Sequence, residues 1–333
     1  MYINCKLLIR AINPIHHGEG TEKDEKGYLI TRIKKMEVFL KDGSIAEVPI
    51  LYGNSLRGIM RDISAESFIE NSEIKREEIP LDYQALLWSA GILNEVKVRS
   101  SDLTKIAKLF PPLSLFGFSF GNDMLSSKMI FSHIYPVTQE TMLQTEDILD
   151  VFSKKIGFKP IPIKASDIVG EVSRTRTNDG IEIIGKRRGK SKEVDISQMI
   201  WTHEFIKPGI FFVGDIQLTN TEKYELGCFL DILERYSRAD KLKIGGLSSI
   251  GYGRIKADVF MEIHNNGKIM SEYLLTLNGG FNKKLISGED ILEDCTNEYR
   301  KYLKSNLKTV KELFKKHSVI TEKIKGFFDK IAI

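Results

Sequence analysis

The sequence predicts an α+β fold: a ferredoxin-like (RRM-like) βαββαβ core carrying a helical insertion, a basic β-hairpin and a helical C-terminal tail. Three observations lead there. The order strand, helix, strand occurs twice, once in each half of the chain, which is the split βαβ arrangement. Helix-patterned residues interrupt the first half. The middle of the chain is poor in apolar residues and holds seven Lys or Arg from Arg174 to Lys192, against only Asp179 and Glu182. With 333 residues and 42% hydrophobic content there is ample material for a core. Residues 1–333 are therefore read as one domain with a helical insertion at 71–126, a basic insertion at 160–202 and C-terminal helices at 287–333.

The elements follow in order. "YINCKLLIRAI" (2–12) is rich in strand formers and suits a central strand, and "NPIHHGEGTEKDEKG" after it reads as an exposed loop. "KKMEVFL" and "SIAEVPIL" around Asp42-Gly43 read as a hairpin, because Asp-Gly favours tight primed turns. In "YGNSLRGIMRDISAESFIEN" the apolar positions Leu56, Ile59, Met60 and Ile63 recur at helical spacing, with Asn54 or Ser55 placed to cap the helix. Residues 81–110 are mostly helical in pattern and close at the Pro pair 111–112, and 128–137 read as a strand. Residues 203–219 form a strand pair or one strand kinked at Pro208 and Gly209; 222–238 form an amphipathic helix. "GRIKADVFMEI" is the last core strand, and a lysine-rich helical tail begins near 287.

Bulk charge decides little. A formal net charge of +4 is mildly basic, so any case for a polyanion rests on clustering. Cys5, Cys228 and Cys295 are odd in number and far apart, giving neither a disulfide framework nor zinc-ligand spacing. No leader-like segment and no membrane-length apolar run stands out, so a cytoplasmic site of action is expected.

The stretch "IGGLSSIGYGRI" (244–255) holds four glycines and two serines, a costly composition to order. Two phosphate-cradle readings fail. A Walker loop needs Gly-Lys-Ser/Thr at its end, and a dinucleotide fingerprint needs a helix after its third glycine, where this chain has a strand. A close backbone approach or a plain tight turn remains. "KRRGK" (Lys186, Arg187, Arg188, Lys190) reads as a solvated turn or as a nucleic-acid backbone contact, and composition leaves both open. Arg174 and Arg176, two apart on a strand, point the same way and so favour one shared polyanion. Arg57 and Arg61 lie one turn apart at the start of a helix, a ready phosphate site. His16 and His17 in "HHGEG" read as polar surface or RNA-contacting residues, with no third metal ligand in view. His133, Phe118 and Phe120 read as core or sheet-face residues. No catalytic constellation assembles from the sequence; no cofactor or metal is expected, and an enzyme is not called for.

These pieces resemble one family. "PILYGNSLRGIMRD" (49–62) resembles the signature of the RAMP superfamily, a Pro-Gly-Ser-Ser-Leu-Arg/Lys-Gly run followed by an arginine. "IGGLSSIGYGRI" resembles its C-terminal glycine-rich loop, and "INPIHHGEG" is similar to its first-strand exit. Length, helical insertion and basic hairpin resemble the CRISPR backbone subunits, most of all the type IV backbone protein.

The resemblance implies a subunit that polymerises along CRISPR RNA (crRNA) and partners crRNA, complementary target nucleic acid, copies of itself in a helical filament and other CRISPR effector subunits. It implies that Asn54, Ser55, Arg57 and Arg61 hold crRNA phosphates and that the backbone at Gly245, Gly246, Ser248 and Ser249 lies against RNA. It makes 174–190 a thumb. Type III backbone subunits cut target RNA with an aspartate before the signature; the matching place falls near Lys35, Met36 and Glu37, so binding without cleavage is expected. The alternatives are a crRNA-processing endoribonuclease using His16 or His17, and a metal-dependent nuclease using Asp24 or Asp42.

Overall fold

The computed structural model describes residues 1–23, 29–92, 100–175 and 200–315. The first half contains β1 (Tyr2–Ala11), β2 (Gly18–Lys23), β3 (Leu29–Ile33), β4 (Lys35–Phe39), β5 (Ile45–Pro49) and α1 (Gly53–Asn71). Then come α2 (Leu81–Ser89), β6 (Gly91–Ile92), α3 (Ser100–Leu109), α4 (Pro111–Phe116), β7 (Phe118–Phe120), β8 (Asp123–Leu125), β9 (Met129–Phe131), β10 (Tyr135–Pro136) and α5 (Met142–Ile156). The second half has β11 (Val169–Thr175), β12 (Ile200–Ile206), β13 (Phe211–Leu218), α6 (Lys223–Tyr236), β14 (Ile255–Asn265), β15 (Lys268–Leu277), β16 (Phe281–Gly288) and α7 (Leu292–Lys315).

The principal sheet runs β10-β13-β1-β14-β15-β16, with β9 also on β13, and its pairs are antiparallel. β1 is central because both of its faces find apolar cover. Ile3, Cys5, Leu7, Ile9 and Ala11 face the main core with Leu56, Met60 and Ile63 of α1 and Leu226, Phe229 and Leu233 of α6. Leu8 points the other way and meets Val213, Phe260 and α5's Ile148 and Phe152. The helical spacing of α1 and α6 thus becomes one buried stripe each, and each fully buried side chain contributes about 2 kcal/mol.

Several expectations are corrected. The segment 128–137 is two short strands, β9 and β10, rather than one: Ser132 still bonds Asp215 of β13, but Ile134 turns away to pair with Leu51. The C-terminal helix starts at Leu292, and a β15–β16 hairpin precedes it. Within 81–110, α2 and α3 are separate helices. The exposed loop expected after β1 instead supplies β2 to a second sheet of order β11-β12-β3-β2, in which β12 and β3 are parallel. The corner at Pro208 and Gly209 is where the chain leaves this sheet and enters the principal one, with Gly209 N–H donating to Ala11 O at 2.8 Å. No helix among the described residues is long and apolar enough to cross a membrane.

Candidate nucleic-acid interface

Helix α1 begins where the chain turns hard against β9. A Cβ at Gly53 would lie 2.3 Å from Ser132 O, so only glycine fits there. The N-cap is Tyr52, with no side-chain cap bond; Asn54 and Ser55 sit inside the first turn, Asn54 exposed and Ser55 half-buried, rather than capping it. The opening amides therefore lack a side-chain acceptor, which suits an external anion.

Arg57 and Arg61 follow on the next turns, both half-buried. Arg57 Nη2 donates to Phe116 O, and the Arg61 guanidinium lies 5.6 Å from the Phe116 ring centroid. The Nε of each is buried without a partner, and neither residue has an ion pair within 4.0 Å among the described residues. Burial first, and the Arg57 charge second, push Arg61 below its ordinary pKa, with Asp62 opposing. Two crowded, partly dehydrated cations with unused donors have the chemistry to take an anion.

The glycine-rich loop finds its first partner within the chain itself. Gly246 N–H donates to His16 O at 2.7 Å and Gly253 N–H to Pro14 O at 2.7 Å. Gly245 and Gly253 both hold φ +85°, and a Cβ would stand 2.6 Å from His16 O and 2.4 Å from Ile244 O respectively. The need for glycine is thus set by the first-strand exit at Gly245 and by the loop's own Ile244 backbone at Gly253. The outer side of the loop, Gly246, Ser248, Ser249 and Gly251, is exposed.

His16 and His17 are buried at 6% and 5% exposure instead of standing on a surface loop. His16 Nδ1 donates to Glu204 O at 2.7 Å, and His17 Nε2 accepts the Tyr52 N–H at 3.2 Å. Sequence reasoning missed the band that holds them. The Tyr52 ring lies between His17 and His133, with Lys34 Nζ 4.6 Å from its centroid. His203, fully buried, stacks on Trp201, contacts His16 edge-on and meets the Tyr252 hydroxyl at 3.1 Å. Exposed Arg174 lies 5.6 Å from the Tyr252 centroid. Tyr252 was visible within the loop, but its partner is 49 residues away, and no local pattern joins them.

Arg176, Lys186, Arg187, Arg188 and Lys190, and Asp24, lie outside the described residues. Asp42 is a turn residue accepting from the Ser44 amide and hydroxyl. Phe118 and Phe120 lie in the core. Among the described residues no three His, Cys, Asp or Glu side chains stand together as a metal-ligand group.

The histidine contacts give a stability prediction. Burial first, then Lys34 and His16, lower the His17 pKa from 6.5 to about 4. The folded chain therefore holds His17 neutral, and this stabilising contribution is complete above pH 6.5 and lost as the pH falls toward 4. Thermal unfolding should show a midpoint falling across that window, and His17→Gln should flatten the fall; an unchanged slope would refute the assignment.

Fold and site describe an α+β protein whose signature helix carries an unneutralised arginine pair. Residues 8–256 match the profile of the RAMP superfamily, and the chain belongs to that superfamily. No curated protein matches it by sequence. Among solved structures it is similar to a chain of a "Type IV-B CRISPR Complex", with TM-score 0.52, 16% identity, and coverage of 77% of this chain and 90% of that one. It also aligns with a chain of the "Type III-B Cmr-beta bound to cognate target RNA", with TM-score 0.42, 14% identity, and coverage of 76% and 95%.

Proposed function

We propose that this protein is a backbone subunit of a CRISPR ribonucleoprotein, nearest the type IV kind, that holds crRNA by its phosphates and presents it for pairing without cutting the target. The observation that carries the reading is the Arg57 and Arg61 pair: partly buried, without carboxylate partners among the described residues, on the helix that bears the superfamily signature. Such cations hold phosphates without reading bases, so sequence choice is left to the guide. The order β14-β1-β13-β9, with α1 and α6 as connections, fits a ferredoxin-like βαββαβ heart. In this reading Ser248, Ser249 and Gly246 face the RNA, while the histidines brace the loop. Copies add head to tail along the guide in a cytoplasmic particle with other effector subunits.

The test is purification from cells expressing a matching CRISPR array, followed by particle sizing and RNA sequencing. Many protomers on one guide of uniform length are expected. A small RNA-free particle that cuts repeat RNA, and loses this on His16→Ala or His17→Ala, would replace the reading with a processing nuclease.

A further inference from the structure

The β4–β5 hairpin has an outer face that is unfavourable in isolation. Val38 and Val48 turn inward onto Ala165 and Ile50. Outward, Glu37 stands opposite Glu47 in register, with Lys35 3.6 Å from Glu47, and Phe39 stands opposite Ile45. Phe39 is 64% and Ile45 57% exposed. Like charges directly opposed destabilise a strand pair, and an exposed aromatic–aliphatic pair at a ribbon tip gains nothing from water.

A hollow of about 370 Å³ has the complementary character. It opens beside the β12–β13 corner, lined by Val137, Phe158, Pro160, Ile161, Ile163 and Phe211, with Lys159 on its wall. Ile161 is 87% exposed. The Arg10 guanidinium lies 5.7 Å from the Phe211 centroid, and Arg10 stands opposite Lys256 in register, both exposed. Arg10, Lys159 and Lys256 have no ion pair within 4.0 Å among the described residues. One surface thus presents an apolar knob beside an acidic cross-strand pair, and the other an apolar hollow beside a basic one.

We infer that the Phe39 and Ile45 tip of one copy seats in this hollow of the next, with Glu37 and Glu47 meeting Arg10, Lys159 and Lys256. The inference rests on the backbone reading and names the contact that reading requires. Because knob and hollow are different surfaces, the contact is heterologous and propagates unless its rotation closes a ring.

The full chain is mixed with synthetic repeat–spacer RNAs of increasing length, and the mass of each particle is measured. Wild type should gain copies with RNA length. Phe39→Ser with Ile45→Thr should bind RNA but need at least about tenfold more protein to reach the same copy number, the loss of one apolar anchor. Glu37→Lys with Glu47→Lys should fail likewise, and so should Arg10→Glu with Lys256→Glu. All four charge changes in one chain should restore assembly. If the Phe39 and Ile45 variant assembles as wild type does, the tip serves another partner and the inference falls while the backbone reading stands. If wild type stays single on every RNA, the filament reading itself falls, and this contact with it.

Discussion

Replacing Arg57 and Arg61 together with alanine is expected to weaken guide-RNA binding about a hundredfold at low salt. The estimate takes two charge-assisted hydrogen bonds at about 1.5 kcal/mol each, and about 1.4 kcal/mol is a factor of ten in affinity. The loss should also change the salt dependence. Each phosphate contact on a single strand adds about 0.7 to the slope of log affinity against log salt, so the double variant should bind with a slope about 1.4 shallower. The variant relieves the repulsion between the two guanidiniums but also removes the Arg57 bond to Phe116 O and the Arg61 contact with its ring, so circular dichroism checks its fold before binding is compared. Filter binding across a salt series reads both quantities. An unchanged slope would mean that the pair faces something other than phosphate, and the proposed function would lose its main support.

Gly253→Ala is expected to cost about 3 kcal/mol of folding stability, and Gly251→Ala only about 1 kcal/mol. Both glycines lie in the same loop with nearly the same φ, +85° and +88°. The left-handed conformation penalises any side chain at either position by a similar amount. The difference is space. At Gly253 a Cβ meets the backbone oxygen of Ile244 at 2.4 Å, while at Gly251 nothing stands within 4 Å. Gly253 also anchors the loop through its bond to Pro14 O, so the clash propagates to the first-strand exit and to Tyr252 beside it. Urea unfolding of the two variants, compared at equal slope, separates strain from collision. Equal losses would show that the loop yields at Gly253 and that the close approach is not what selects glycine.

Much of the core was legible before any coordinates. The run of strand formers in β1 and the 3.6 period in α1 and α6 are local signals, and the structure buries the apolar residues they select. The β4–β5 hairpin and the corner at Pro208 and Gly209 were readable for the same reason, since proline and glycine act on their own dihedrals, although the hairpin loop is not a primed Asp-Gly turn: Leu40 and Ser44 close it and only Gly43 is left-handed. The α1 cap was misjudged because Asn54 and Ser55 have capping chemistry, whereas the entry point was fixed by Gly53 pressing on Ser132, 79 residues further along the chain by number. The β15–β16 hairpin escaped notice.

By itself the sequence determined β1, β14 and the helices α1 and α6 of the core, the superfamily, and the arginine pair on the signature helix, because each is written in residues close together in the chain. Only the tertiary structure decided what the glycine-rich loop touches, that His16 and His17 are buried, and that β3 joins β12, with β2 beside it, in a second sheet. Those outcomes depend on contacts such as His16 with Glu204 and His203 with Tyr252, across separations of 188 and 49 residues. Local periodicity carries no information about which distant backbone will arrive, and a buried polar group reveals its partner only once the chain has closed around it.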